Sequence, residues 1–97
     1  MKKNQKYIVR CDRAGVFFGE IKKQSKDSVI MTNVRKVYYW DGACAVEELA
    51  KEGTTAPSRC KLTVSIEEME VFTPIQVIPC TVKATEILNS ISVWKKS

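Results

Sequence analysis

From Lys6 to Trp40 the chain places apolar side chains at every second position, and only short polar stretches interrupt them. Residues 6–11 (KYIVRC) set Tyr7, Val9 and Cys11 against Ile8 and Arg10, the period of two that marks a half-buried strand. After the turn Asp12-Arg13-Ala14-Gly15, residues 16–21 put Phe17, Gly19 and Ile21 on one face and Val16, Phe18 and Glu20 on the other. Gly19 inside that strand predicts a bulge or a close backbone approach. The polar run 22–27 predicts another turn, and residues 28–32 a third strand. Asn33 is read as a break, with a fourth strand over 35–40. Connections this short join antiparallel neighbours, so the first half of the chain is a meander.

Beyond Trp40 the period changes. Val46, Leu49 and Ala50 fall at i, i+3, i+4 with Glu47, Glu48, Lys51 and Glu52 facing outward, which predicts a short amphipathic helix ending at Gly53. Glu47 and Lys51 have the order of a favourable i,i+4 pair. A helix this short cannot stand alone, so it must cap the sheet. Residues 54–59 read as a loop marked by Pro57. Residues 60–66 alternate Leu62, Val64 and Ile66 against Lys61, Thr63 and Ser65, a strand, with a further short strand over 69–72. Residues 76–78 are apolar, and Pro79 confines them to an edge or a strand end. From Thr81, a good N-cap residue, Ala84, Ile87, Leu88 and Ile91 predict a second amphipathic helix. The fold class expected is α+β and β-rich. It is an antiparallel sheet or small partly open barrel of about five to seven strands, with a short helix after the fourth and one at the C-terminus.

The 97 residues suit one domain, 1–97, with residues 1–5 as a flexible lead-in. No apolar run approaches the roughly 20 residues of a membrane span, and no apolar segment follows the basic start, so a cytoplasmic location is expected. Charge is unevenly distributed: residues 1–40 carry a balance of +7, residues 41–72 of −4 and the remainder of +2. Such segregation suits either a phosphate-binding patch or docking of identical subunits, basic face on acidic face.

Histidine is absent and the four cysteines, Cys11, Cys44, Cys60 and Cys80, stand 33, 16 and 20 residues apart. Without closely spaced ligand pairs no metal site is expected, and the cysteines read as small buried hydrophobes. Ser-His and Cys-His nucleophile pairs cannot form without histidine. The expectation is a protein that is not an enzyme and takes no cofactor.

Candidate binding residues gather in 33–53. Arg35 and Lys36 precede Tyr38, Tyr39 and Trp40. On a regular strand Arg35, Val37 and Tyr39 share one face, and Lys36, Tyr38 and Trp40 the other. The aromatics can be core, a stacking surface for a base, or a subunit contact. Asp41-Gly42-Ala43 is either a tight turn with a helix cap or a small-residue corner that lets an anion reach the helix start. The site expected combines Arg35 and Lys36, with Arg10 or Arg13 from neighbouring strands, as its cations. Tyr38 or Trp40 would be the stacking wall and the Gly42 and Ala43 amides the anion cradle. If Arg35 proved structural, Glu47 or Glu48 would be its partner.

The run VRKVYYWDGACAVEELAKEG, with AGVFFGEI upstream and VIPCTVKA downstream, resembles a family of uncharacterised small proteins encoded by tailed phages and prophages. In that family an Arg-rich strand enters an aromatic-Trp-x-Gly-Ala motif, a short helix and Gly follow, and Ile-Pro-Cys-Thr precedes a C-terminal helix. The resemblance spans residues 6–94, and Trp40-Asp41-Gly42-Ala43 is its most specific part. Where the family has two arginines this chain has Arg35-Lys36, keeping the charge and losing one planar fork. The resemblance implies a phage origin and a β-rich fold, and no activity. Three functions stay open: a homo-oligomer sequestering a small anionic nucleotide signal of a host defence system, a nucleic-acid-binding accessory protein, and a structural or host-protein-binding module. The first is preferred, by analogy with other phage proteins that soak up such signals.

Overall fold

A computed structural model describes residues 4–94. Strands β1 (Tyr7–Cys11), β2 (Gly15–Gln24) and β3 (Ser28–Tyr39) form the antiparallel meander. Helix α1 (Val46–Glu52) and a single 3-10 turn (Pro57–Arg59) lead to β4 (Lys61–Leu62), β5 (Ile66–Phe72), β6 (Pro74–Pro79) and helix α2 (Val82–Asn89). The six strands make one open antiparallel sheet in the order β4-β3-β2-β1-β6, with β5 also on β3. The α+β, β-rich class is as expected, and the sheet is open rather than a closed barrel.

The two strands expected on either side of Asn33 are one. Asn33 takes a left-handed φ of 47° without ending β3. The register slips there against Gly19, the bulge its glycine predicts. A Cβ on Gly19 would lie 2.8 Å from the Val34 Cα, so only glycine admits this approach. Because the strands merge, the first helix follows the third strand, not a fourth.

The strand expected over 60–66 is cut short for a related reason. β4 and β5 both run along the same side of β3: Leu62 pairs with Val37 and Ile66 with Val34. Three residues, 63–65, therefore face two, Arg35 and Lys36, and the chain bows out. Leu62 is fully buried while Val64 and Ile66, expected on the same inward face, are exposed. β6 pairs only with β1 among the described strands, the edge place that its prolines dictate.

Both sheet faces are apolar. On one, Ile8, Val16, Phe18, Val37 and Leu62 meet Val46, Leu49 and Ala50 of α1, Ala84 and Leu88 of α2, and Ile91. Full burial of such a side chain is worth about 1.5–3 kcal/mol, so α1 is held by its packed face rather than by helix propensity. On the other, Val9, Cys11, Phe17, Val29, Met31, Val34 and Val71 pack together inside the curl of the sheet. Thr73 holds that curl. Its N–H donates to the Asp27 carbonyl and its own carbonyl accepts from the Asp12 amide, so the turns at the two ends of β2 meet at one residue. α2 begins as expected at Thr81, whose hydroxyl accepts from the Ala84 amide. Residues 1–3 of the expected flexible lead-in lie outside the described residues, whereas Gln5 is tied down, its side-chain amide donating to the carbonyls of Lys6 and Cys80.

Candidate functional site

Arg35 does not face solvent. It is 8% exposed on the helix side of β3, beside Phe18. Its Nε donates to the Thr63 carbonyl at 2.9 Å, Nη1 to Leu88 at 3.2 Å, and Nη2 to Ser92 at 3.3 Å and Leu62 at 3.5 Å. The charge thus meets the Leu88 carbonyl at the C-terminal end of α2, where the helix dipole is negative. Burial holds the guanidinium below its usual pKa. Its partners are four carbonyls, not Glu47 or Glu48, and they take four of its five N–H groups in a buried position.

The corner at Gly42 is also engaged. Asp41 does not cap the helix: its Oδ1 accepts from the Gly42 amide and its Oδ2 pairs with Arg59 at 3.4 Å. The helix begins at Val46, and the amide of Cys44 donates to Glu48 Oε1. Gly42 has φ 84°, and a Cβ there would lie 2.5 Å from Thr54 Oγ1 and 2.6 Å from the Ala56 nitrogen. Its carbonyl accepts from the Thr55 amide. Glycine is needed here to seat the 54–56 loop, not to admit an anion. Ala43 packs against the helix-side core.

Arg10 and Trp40 do come together, lining a cleft of about 280 Å³ with Cys44, Ala45, Val46 and Glu47. The cation there, Arg10, is not free. Arg10 donates to the Gln76 side chain at 3.4 Å, and Gln76 donates to Glu47 at 2.9 Å. That hydrogen bond, with a smaller contribution from Arg10, holds the Glu47 carboxyl below its ordinary pKa. Glu47 therefore pairs with Gln76 instead of the expected Lys51. A second cleft, of about 390 Å³, lies between Gly42, Glu48, Thr54 and Lys83, and a third, of about 270 Å³, between Gln5, Cys80 and Val82; each holds a glutamate.

The remaining expected residues assemble elsewhere. Beyond Val37 the strand alternation slips, so Trp40 packs on the core while Tyr38 and Tyr39 turn outward. Tyr38, 58% exposed, stacks on Trp94 with centroids 4.6 Å apart and planes 21° from parallel. Lys61 Nζ stands 5.2 Å from the centroid of the indole, over the ring, a favourable cation–π arrangement. Lys36 runs over Gly15 toward the turn carrying Arg13. Among the described residues neither Lys36, Lys61 nor Arg13 is ion-paired. Tyr38 therefore meets Trp94, with Lys61 over the indole, two residues absent from the expected site. Lys36 lies two positions before Tyr38 on β3, and Arg13 is exposed in the turn before Gly15. The signal for Trp94 was its place in SVWKKS; Lys95 and Lys96 lie outside the described residues.

Folding also mixes the charge that the sequence segregates. Lys22 meets Glu68 at 3.0 Å across 46 residues, and Lys83 meets Glu52 at 2.9 Å. Cys11, Cys60 and Cys80 are buried as expected, but Cys44 is exposed. Among the described residues no group of three or more Cys, Asp or Glu could hold a metal ion, and no helix is long and apolar enough to cross a membrane.

Fold and surface together define a small β-rich α+β domain with an aromatic, cationic patch beside the edge strand β4. Over residues 4–88 the chain belongs to the family described as Domain of unknown function (DUF6948). No curated protein and no solved structure matches the chain. All the strands lie inside the family match, and residues 89–94, with Trp94, lie beyond it.

Proposed function

We propose that this chain is a non-enzymatic phage protein of the host cytoplasm that binds single-stranded nucleic acid on the Tyr38–Trp94 surface. The observation that carries the reading is the half-exposed aromatic stack, with Lys61 over the indole and Lys36 two positions before Tyr38 on β3. Neither lysine is ion-paired among the described residues, and Arg13 is exposed in the neighbouring turn. Every base has a face to stack and every linkage a phosphate, so a surface aromatic site with lysines at its margins suits an extended strand better than a single enclosed nucleotide. The preferred small-nucleotide reading loses its cation when Arg35 turns inward. It keeps one specific support, the cleft shared by Arg10 and Trp40, at the cost of the Glu47 carboxylate beside any bound phosphate.

Binding of a labelled oligothymidylate, followed across salt concentrations, tests the two. Contacts from Lys36, Lys61 and Arg13 give a log–log salt slope near 2, from about 0.7 per phosphate on a single strand. Tyr38→Ala should weaken binding about tenfold, since base–aromatic stacking is worth about 1–3 kcal/mol. Oligonucleotide binding that ignores Tyr38 would sink the platform. A mononucleotide bound through Arg10, with a slope near 1, would favour the cleft instead.

Self-association is part of the same proposal. Its support is the apolar residues Phe72 and Ile75, both more than half exposed at the β5–β6 corner. Phe72 pairs with Ser28 at the far end of β3 from Tyr38, so the two patches do not compete.

A further inference from the structure

The aromatic platform is covered by a segment that is not part of the sheet ladder. After α2, Ile91 is buried in the helix-side core, but residues 92–94 are exposed and lie along β4. One isolated bridge, Leu62 to Val93, and one backbone bond, the Trp94 amide to the Leu62 carbonyl at 2.9 Å, hold them to the strand. The Ser92 carbonyl takes one of Arg35's four hydrogen bonds. The Trp94 ring lies on Tyr38 in the stacked geometry a nucleobase would adopt. Ile91 anchors the segment, so residues 92–94 can lift without disturbing α2 or the core. Arg35 would then keep its bonds to Thr63, Leu88 and Leu62.

Resting on the nucleic-acid reading above, we propose that residues 92–94 are a displaceable cover: Trp94 occupies the stacking face of Tyr38 in the free protein, and a base binds by taking its place. Binding therefore has to displace an internal competitor, and the apparent affinity is lowered by the fraction of molecules in which the cover is closed. The same exchange frees Lys61 from the indole face, making its ammonium available to the phosphate beside the incoming base. The tail is thus an autoinhibitory contact whose strength sets the affinity of the platform.

Trp94→Ala keeps the Ile91 anchor and separates the possibilities. With a labelled oligothymidylate of about ten nucleotides, the variant should bind about two- to tenfold tighter than wild type, because the competitor is gone. Tyr38→Ala in the same background should abolish that gain. As a check that does not depend on removing the indole, a Trp40→Phe variant leaves Trp94 as the sole tryptophan, which can be excited selectively at the red edge of the absorption band. Saturation with the oligonucleotide should then shift its emission to longer wavelength as the ring enters water. If Trp94→Ala binds more weakly while Tyr38→Ala also weakens binding, Trp94 is part of the platform; the cover is overturned and the nucleic-acid reading stands. A blue-shifted or unshifted Trp94 emission at saturation overturns the cover as well. If neither wild type nor Trp94→Ala binds the oligonucleotide, the cover and the reading beneath it both fall.

Discussion

Arg35 Nη1 reaches the carbonyl of Leu88, 53 residues further along the chain, at 3.2 Å. This bond ties the centre of β3 to the end of α2, and its neighbours to Leu62, Thr63 and Ser92 tie in the start of the interruption between β4 and β5 and the tail. One guanidinium thus satisfies carbonyls on three segments that share no ladder at that point. The bowing of residues 63–65 and the inward turn of Arg35 are one feature, since the bow opens at the Thr63 carbonyl, which takes the shortest of the fork's hydrogen bonds.

Arg35→Lys should therefore destabilise the fold while keeping the charge. A single ammonium cannot span these carbonyls, and hydrogen bonds to a charged group are worth about 1.5–3 kcal/mol. A loss of about 2–4 kcal/mol in urea unfolding is expected. A variant within about 0.5 kcal/mol of wild type would show that the network carries no stability.

Gly42→Ala should cost about 2–4 kcal/mol, combining a left-handed φ with a clash against Thr54 and Ala56. Its effect belongs to the 54–56 loop, so oligonucleotide affinity measured on the folded fraction should not change. Lost affinity at full folding would restore an anion-binding role to this corner.

Thiol labelling reads the burial pattern directly. In the native protein only Cys44 should react, and slowly at pH 8, because its hydrogen bond to Glu48 and that carboxylate's charge push its pKa up. Glu48→Gln should speed the labelling. Equal labelling of all the cysteines without denaturant would contradict the core described here.

Alkaline pH should loosen the fold through Cys80. Burial pushes its pKa up from 9.0 to about 12. A group with a raised folded pKa stabilises fully below its unfolded value and loses that contribution as pH rises, here between pH 9 and 12. The slope attributable to it is at most about 1.4 kcal/mol per pH unit. The measurement is the difference from Cys80→Ala, whose stability should fall less over that window. Parallel curves would show that Cys80 is not the group responsible.

Sedimentation at tens of micromolar should report a species larger than the 11.0 kDa monomer. Phe72→Ser with Ile75→Ser should return it to monomer, since both side chains point outward at the corner. A wild-type monomer at that concentration would leave the exposed apolar corner without a self-association role.

Local rules were enough for much of this architecture. The period of two over residues 6–32, the bulge at Gly19, the stop at Gly53, the Thr81 cap and the edge place of residues 76–78 each depend on neighbours a few positions away. Sequence carries that information directly. It could not tell a bend from a break at Asn33, because whether β3 continues depends on Gly19 lying opposite it. Nor could it show that Val64 leaves the face of Leu62, which follows from register against β3. The candidate site was legible only in kind. Aromatics and cations on β3 were the right residue types, but strand alternation alone does not say which face is covered. α2 and the 63–65 bow claim Arg35, the 54–56 loop claims Gly42, and a core claims Trp40. Tyr38 remains exposed, with Lys36 partly buried before it on β3, and Lys61 and Trp94 join it from distant positions in the chain. Such a juxtaposition is set by packing between elements, which no local pattern encodes.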